Sequence, residues 1–350
     1  GLNKEQLTAA KHGEGPCMVL AGPGTGKTTV ITSRVINLIK SRKVLPENIL
    51  VVTFSRAAAN EMKERYGRLL GNRADEKVSF GTFHSIFYKL LRQYKGYKLE
   101  DLIDENHKFN IIRNFVRRME SGFTEDEEQV RDIIGDMEYI ISTMSEAEDF
   151  KPGSCSSSQL KGIMKEYSEY KQKSGKYDYD DILFDCFHML RENSGILKEV
   201  RERFKYILVD EFQDTDPLQW KLIELLTGDR KSGCLFLVGD PKQSIYGFRR
   251  ADVRLFNDAT ESIIKKNRAE GKNNLNLKFQ GRAINASTDE KLGAIQLPVN
   301  YRSVPAVIDF VNFVFEKIMA PEKNCNNAPE KDYSNAPEDD CSNVRFDPLL

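Results

Sequence analysis

Apolar residues along the chain fall into two patterns. Short continuous runs recur at Cys17-Met18-Val19-Leu20, Ile49-Leu50-Val51-Val52-Thr53-Phe54, Ile207-Leu208-Val209 and Cys234-Leu235-Phe236-Leu237-Val238, with a shorter strand pattern from Val78 to Thr82. Such runs suit strands of a parallel sheet covered on both faces. Between them the apolar positions take helical spacing, as in Val30, Ile31, Val35, Leu38 and Ile39, or in the stretches opening at Ser55 and at Phe83. This alternation predicts an α/β fold, a parallel sheet flanked by helices. Leu2 to Ala10 reads as a short helix capped by Asn3.

From about Tyr94 to Lys176 the strand runs cease and the pattern is charged and helical, which predicts an all-helical insertion. Glu125-Asp126-Glu127-Glu128 reads as an exposed acidic face and Lys151 to Ser158 as a loop. Tyr177-Asp178-Tyr179-Asp180-Asp181 returns the chain to the sheet, with Asp180 or Asp181 as the expected helix cap. Residues 262–296 are rich in lysine and asparagine and read as an exposed connector; Pro305 to Met319 reads as a helix. After Ala320, where Asn-Ala-Pro-Glu occurs twice, the composition suits a loop or a disordered tail.

With 350 residues, 40% of them hydrophobic and 30% charged, the chain has the composition of a globular protein of more than one domain. A formal charge of −1 supplies no global field, so any polyanion must be held by local basic patches. None of the six cysteines forms a C-x-x-C pair, which argues against a zinc site or a disulfide framework and suits reduced thiols in the cytoplasm. No apolar run approaches the length of a membrane span.

The chemistry concentrates at strand ends. Ala21-Gly22-Pro23-Gly24-Thr25-Gly26-Lys27-Thr28 lies between a strand and a helix, the context of a phosphate-binding loop, with Ala21 in the first glycine position. Its N–H groups and Lys27 would hold phosphates, and Thr28 could hold Mg²⁺. Asp210-Glu211 ends the strand at 207–209, where Asp210 is placed for Mg²⁺ and Glu211 to activate water. Gln243 at another strand end could touch a γ-phosphate. Tyr246, Phe248, Arg249 and Arg250 mix rings with guanidinium groups, as suits stacking on single-stranded bases. Phe54, Arg56, Phe83 and His84 fall at the sheet edge where open α/β folds bind ligands, but by themselves they read as core or salt-bridge residues. Gln6 alone reads either as a surface residue or as a reader of an adenine edge.

The order of these motifs resembles that of superfamily 1 DNA helicases of the UvrD, PcrA and Rep type, through Leu2 to Gln6, Ala21 to Thr28, Val52 to Met62, Gly81 to Phe87, Ile207 to Gln219, Val238 to Asp252 and Leu297 to Ser303. Asp240 to Asp252 and Val311 to Met319 look more like RecB and AddA helicase subunits. The resemblance implies a RecA-like P-loop NTPase sheet (residues 1–93 and 177–296), a helical insertion (94–176) and the start of a second RecA-like lobe with an acidic, Asn-rich tail (297–350). It implies ATP and Mg²⁺, with Gln6 on adenine, Gly22 to Thr29 around the phosphates, Arg34 beside the nucleotide and Tyr301 stacked on the base. Lys27, Glu211, Gln243 and the arginine finger Arg302 would be catalytic, and Thr28 and Asp210 would hold the metal. Phe54, Arg56, His84, Tyr246, Phe248 and Arg249 would line a track for single-stranded DNA or a single-strand/duplex junction, with repair or recombination proteins as partners. The implied piece is the N-terminal part of a longer helicase, binding nucleotide and hydrolysing it slowly without unwinding. The alternatives are a subunit of a RecB/AddA-type helicase-nuclease and a silent nucleotide-regulated scaffold, the latter opposed by the retention of Glu211. A small-molecule kinase would leave the cluster at 246–250 without a role.

Overall fold

A computed structural model describes residues 1–13, 15–70, 77–118, 127–145, 150–228, 235–244, 253–269 and 293–318. Six strands, β1 (Cys17–Ala21), β2 (Ile49–Thr53), β3 (Ser79–Thr82), β4 (Tyr206–Val209), β5 (Leu235–Gly239) and β6 (Ala294–Leu297), form one sheet in the order β3-β2-β4-β5-β1-β6. Every pairing is parallel. Strand residues alternate between two cores: Met18, Leu50, Val52, Ile207, Val209 and Leu237 face one layer, while Cys17, Val19, Ile49, Val51, Leu208 and Val238 face the other. Both layers are covered, which is why the strands are continuous apolar runs rather than alternating ones.

On the second layer lie α1 (Lys4–Lys11), α2 (Lys27–Lys40) and α3 (Arg56–Leu70). On the first lies α4 (Phe83–Lys95), and the chain then leaves the sheet for α5 (Glu105–Arg118), α6 (Glu127–Thr143) and α7 (Ser157–Ser174). These three helices enclose their own core around Ile112, Phe115, Ile133, Met137, Leu160 and Ile163, so the insertion folds about a separate apolar centre. The chain returns through α8 (Tyr179–Glu192), α9 (Ser194–Arg203) and α10 (Pro217–Thr227), with α11 (Val253–Ala269) completing the first layer. A parallel bridge between Leu102 and Tyr177 closes the neck of the insertion.

Asn3 caps α1 as expected, in a reciprocal capping box with Gln6. The cap of α8 is Asp178, not Asp180 or Asp181: Asp178 accepts from the Asp181 N–H while the Asp181 carboxylate accepts from the Asp178 N–H. The exposed connector expected over residues 262–296 is corrected at its two ends, which belong to α11 and to β6, while residues 270–292 lie outside the described residues. Residues up to Ala269 are helix, with Ile263, Ile264 and Asn267 at most 4% exposed, because two isoleucines among the lysines give α11 an apolar stripe. The Asn267 amide then donates to the carbonyl of Pro16, which pins α11 beneath β1. Leu297, expected to open a second lobe, is the last residue of β6 and pairs with Ala21. The tail after residue 318 and the acidic residues Glu125 and Asp126 lie outside the described residues. Helix α12 (Pro305–Ile318) follows β6 and leaves Val307, Phe310, Phe313 and Phe315 exposed. Among the described residues no helix is long and apolar enough to cross a membrane.

Candidate functional site

All six strands run the same way, so the segments leaving their C-terminal ends gather along one edge, where open α/β sheets bind ligands. The loop after β1 bends through left-handed conformations at Gly24 (φ +75°) and Gly26 (φ +88°). Gly26 is the N-cap of α2 and makes no side-chain cap, which leaves the first-turn N–H groups of that helix available to an anion. A Cβ at Gly24 would lie 2.4 Å from Asn300 Oδ1 and 2.8 Å from Arg302 Cβ, so the segment after β6 is seated directly on the loop. The Tyr301 N–H donates to the Gly24 carbonyl (2.9 Å), and Asn3 donates to the Tyr301 hydroxyl (2.8 Å). Tyr301 itself is 60% exposed, an open ring at the mouth of the loop.

Lys27 opens α2 with its side chain 12% exposed, 3.8 Å from Glu211 Oε1 and 3.3 Å from Gln243 Oε1. The structure therefore brings together residues drawn from three strand ends. Asp210 leaves β4, and Glu211 follows in a left-handed conformation (φ +53°), an uncommon state for a residue with a side chain. Asp210 Oδ1 is buried and has no hydrogen-bond partner among the described residues. Burial, and then the neighbouring Glu211 charge, push the Asp210 carboxyl up to about 7, with Lys27 opposing. The same two causes, in the same order, raise Asp214 to about 6. A cation beside the orphaned Asp210 oxygen would relieve this crowding, although among the described residues no three His, Cys, Asp or Glu side chains are grouped to hold a metal by themselves. One carboxylate and the Thr28 hydroxyl make a sparse donor set, which fits an ion bound jointly with phosphate oxygens.

One residue expected at the nucleotide sits elsewhere. Arg34 is 1% exposed; its guanidinium donates to the carbonyls of Ala10 and His12 and lies over the Phe236 ring. It fastens α1 to α2 from inside and has no surface to offer a ligand, so its expected place beside the nucleotide is corrected. Its position on the buried stripe of α2 is the physical reason. The cation that does reach the loop's helix is Arg65 of α3, which donates to Thr29 Oγ1 (2.8 Å) and pairs with Glu61 one turn earlier. The sequence carried a faint sign of this, an i,i+4 Glu–Arg pair on α3. Gln6 is 5% exposed, its amide accepting from Asn3 N and donating to the Thr25 carbonyl (2.9 Å), so it braces the loop.

Phe54, Arg56 and His84 follow β2 and β3, on the same edge but at the end of the sheet away from β1. Arg56 is exposed and Phe54 half-buried. Burial pushes the His84 imidazole down to about 4, and its ring meets Tyr179 edge-on at 6.2 Å. Tyr246, Phe248 and Arg249 lie outside the described residues.

A glycine loop feeding a helix, with a lysine and two strand-end carboxylates converging on it in a parallel sheet, defines a RecA-like P-loop α/β domain carrying a helical insertion. Residues 2–264 match the UvrD/REP helicase N-terminal domain, and the chain belongs to that family. It is 37% identical over 267 residues to DNA helicase II of Rickettsia typhi, an alignment covering 72% of this chain and 39% of that protein. It is 31% identical over 262 residues to the ATP-dependent DNA helicase PcrA of Staphylococcus aureus, covering 72% and 35%. It is 32% identical over 322 residues to YjcD of Bacillus subtilis, covering 91% of this chain and 38% of that protein. The chain thus spans between 35% and 39% of the length of these curated relatives.

Proposed function

We propose that this chain is the nucleotide-binding and strand-contacting part of an ATP-dependent DNA helicase or translocase acting on single-stranded DNA in repair or recombination. The observation that carries the reading is the convergence of Glu211 (3.8 Å) and Gln243 (3.3 Å) on the Lys27 ammonium, beside the orphaned Asp210 oxygen. Each group has work only if a triphosphate enters. The N–H groups of the loop and of the first turn of α2 hold its phosphates, and Lys27 exchanges Gln243 and Glu211 for phosphate oxygens. Thr28 and Asp210 would hold Mg²⁺, which supplies neutralisation of phosphate charge. Tyr301 covers the base from the segment seated on Gly24. Glu211 orients the attacking water and takes its proton, Gln243 contacts the γ-phosphate, and Arg302 stabilises charge on the transferred group. Phe54, Arg56 and His84 offer a ring, a charge and a neutral imidazole to a single strand.

In this reading the chain alone binds nucleotide, hydrolyses it slowly and does not separate strands. The test is binding of a fluorescent ADP analogue together with hydrolysis in the presence of oligo-dT. Lys27→Ala should abolish binding, whereas Glu211→Gln should keep binding and lose turnover. Hydrolysis that survives Glu211→Gln would remove Glu211 as the base, and strand separation by this chain would overturn its assignment as one part of a motor.

A further inference from the structure

We propose that Gln213 is a positioning residue that sets the Glu211 carboxylate and ties it to the tip of β5, an inference that rests on the hydrolytic reading above. Gln213 is 1% exposed, and both polar atoms of its amide are engaged. Nε2 donates to Glu211 Oε2 (3.0 Å) and to Asp214 Oδ2 (3.3 Å), while Oε1 accepts from the Asp240 N–H (3.0 Å) and the backbone carbonyl accepts from Ser244 Oγ (3.2 Å). The orientation of the amide is dictated by these partners. Turned over, it would face two carboxylates with an oxygen and an N–H with another N–H. Room for it is provided by Gly239, where a Cβ would lie 2.6 Å from Gln213 Oε1.

The contacts close into a ring. Glu211 is held by Gln213, Gln213 by Asp240, and Asp240 Oδ2 accepts from Gln243 Nε2 at 2.6 Å. Gln243 Oε1 accepts from Lys27, which returns to Glu211 at 3.8 Å. Asp240 to Ser244 lie at the tip of β5, and β5 and β4 stand between the phosphate loop on β1 and the candidate strand-contacting residues after β2 and β3. A shift of the β5 tip therefore moves the Gln213 amide, and the amide moves the carboxylate that meets the water. Glu211 in a left-handed backbone state has little else to hold it, since its side chain is about one-third exposed (36%). Gln213 touches neither nucleotide nor water in this scheme; it acts through Glu211.

Gln213→Leu and Gln213→Met each remove the donor to Glu211 and the acceptor for Asp240 at comparable size. Folding is checked by emission of Trp220, which packs at 5.3 Å against Phe212, and by binding of the fluorescent ADP analogue. Variants that fold and bind within about threefold of the parent should lose roughly 10- to 100-fold in kcat for DNA-stimulated hydrolysis, with KM for ATP little changed, as expected when a reacting group is displaced. Placed on Glu211→Gln, Gln213→Met should cost no further kcat, because its effect passes through the residue already disabled. Parent-like kcat in either folded variant, or full additivity with Glu211→Gln, overturns the proposal while leaving the hydrolytic reading intact. A parent chain that binds nucleotide but shows no hydrolysis with DNA overturns that reading, and this inference with it.

Discussion

Replacing Lys108 by methionine removes one charge from the joint between the insertion and the sheet domain while keeping the length of the side chain. Lys108 sits on α5, 3% exposed, with its ammonium 2.6 Å from Asp180, 3.1 Å from Glu138 and 3.9 Å from Asp178. Burial works against the ammonium, but the charges of Asp180, Asp178 and Glu138 outweigh it and hold its pKa above the ordinary lysine value. Contacts of these lengths carry about 4–6 kcal/mol of Coulomb energy each at an effective dielectric near 20, offset by the desolvation of both partners. Removing one member of such a buried cluster leaves carboxylates uncompensated and costs about 3–5 kcal/mol. Lys171, 2.6 Å from Asp181 and 3.4 Å from Asp178, still neutralises part of the site, so the lower end, about 3 kcal/mol, is expected. Urea unfolding is followed by far-UV circular dichroism, which reads all the helices including those of the insertion, and by the single tryptophan, Trp220 on α10, which reads the sheet domain. The loss should appear first in the dichroism, and Lys108→Met with Asp180→Asn should recover much of it. A loss below about 1 kcal/mol, the value of an exposed pair, would refute the reasoning. The same joint responds to acid. Against the cost of its own burial, Lys171 and Lys108 hold Asp178 below the usual carboxylate value, so its contribution is present above that value and disappears as pH falls through the lowered one.

Arg34→Met should lower stability by roughly 2–3 kcal/mol, because the carbonyls of Ala10 and His12 lose their donor, while nucleotide affinity of the folded chain changes little. A tenfold loss of affinity at unchanged stability would return Arg34 to the nucleotide. His84, with its pKa pushed to about 4, carries no charge near neutrality, so His84→Gln should leave the salt dependence of oligo-dT binding unchanged, measured by fluorescence anisotropy. Arg56→Ala should lower that slope by about 0.7, the value of one phosphate contact on a single strand. Binding that strengthens steeply from about pH 8 to 6 in the parent but not in His84→Gln would contradict the neutral imidazole.

The local grammar of the chain was enough for five of the six strands, the phosphate loop and the order of the motifs, but not for β6. Apolar runs such as Val51-Val52 and Val209, the glycines at 24 and 26, and the Asn3–Gln6 capping box are signals carried over a few residues, where spacing alone decides backbone state. The partners of buried polar groups are a different matter, because they come from distant segments. Nothing near Arg34 says that its charge ends on the carbonyls of Ala10 and His12; nothing near Asp178 says that it, rather than Asp180, caps α8 beneath two lysines. Lys27 and Gln243 meet across 216 residues, and Gln213 and Asp240 across 27, only because parallel strands deliver their C-terminal ends to one edge. Sequence determined which chemical groups the protein carries. Tertiary packing decided which of them are spent holding the fold and which are left facing a ligand, since a buried donor or acceptor must find its partner wherever the fold puts one.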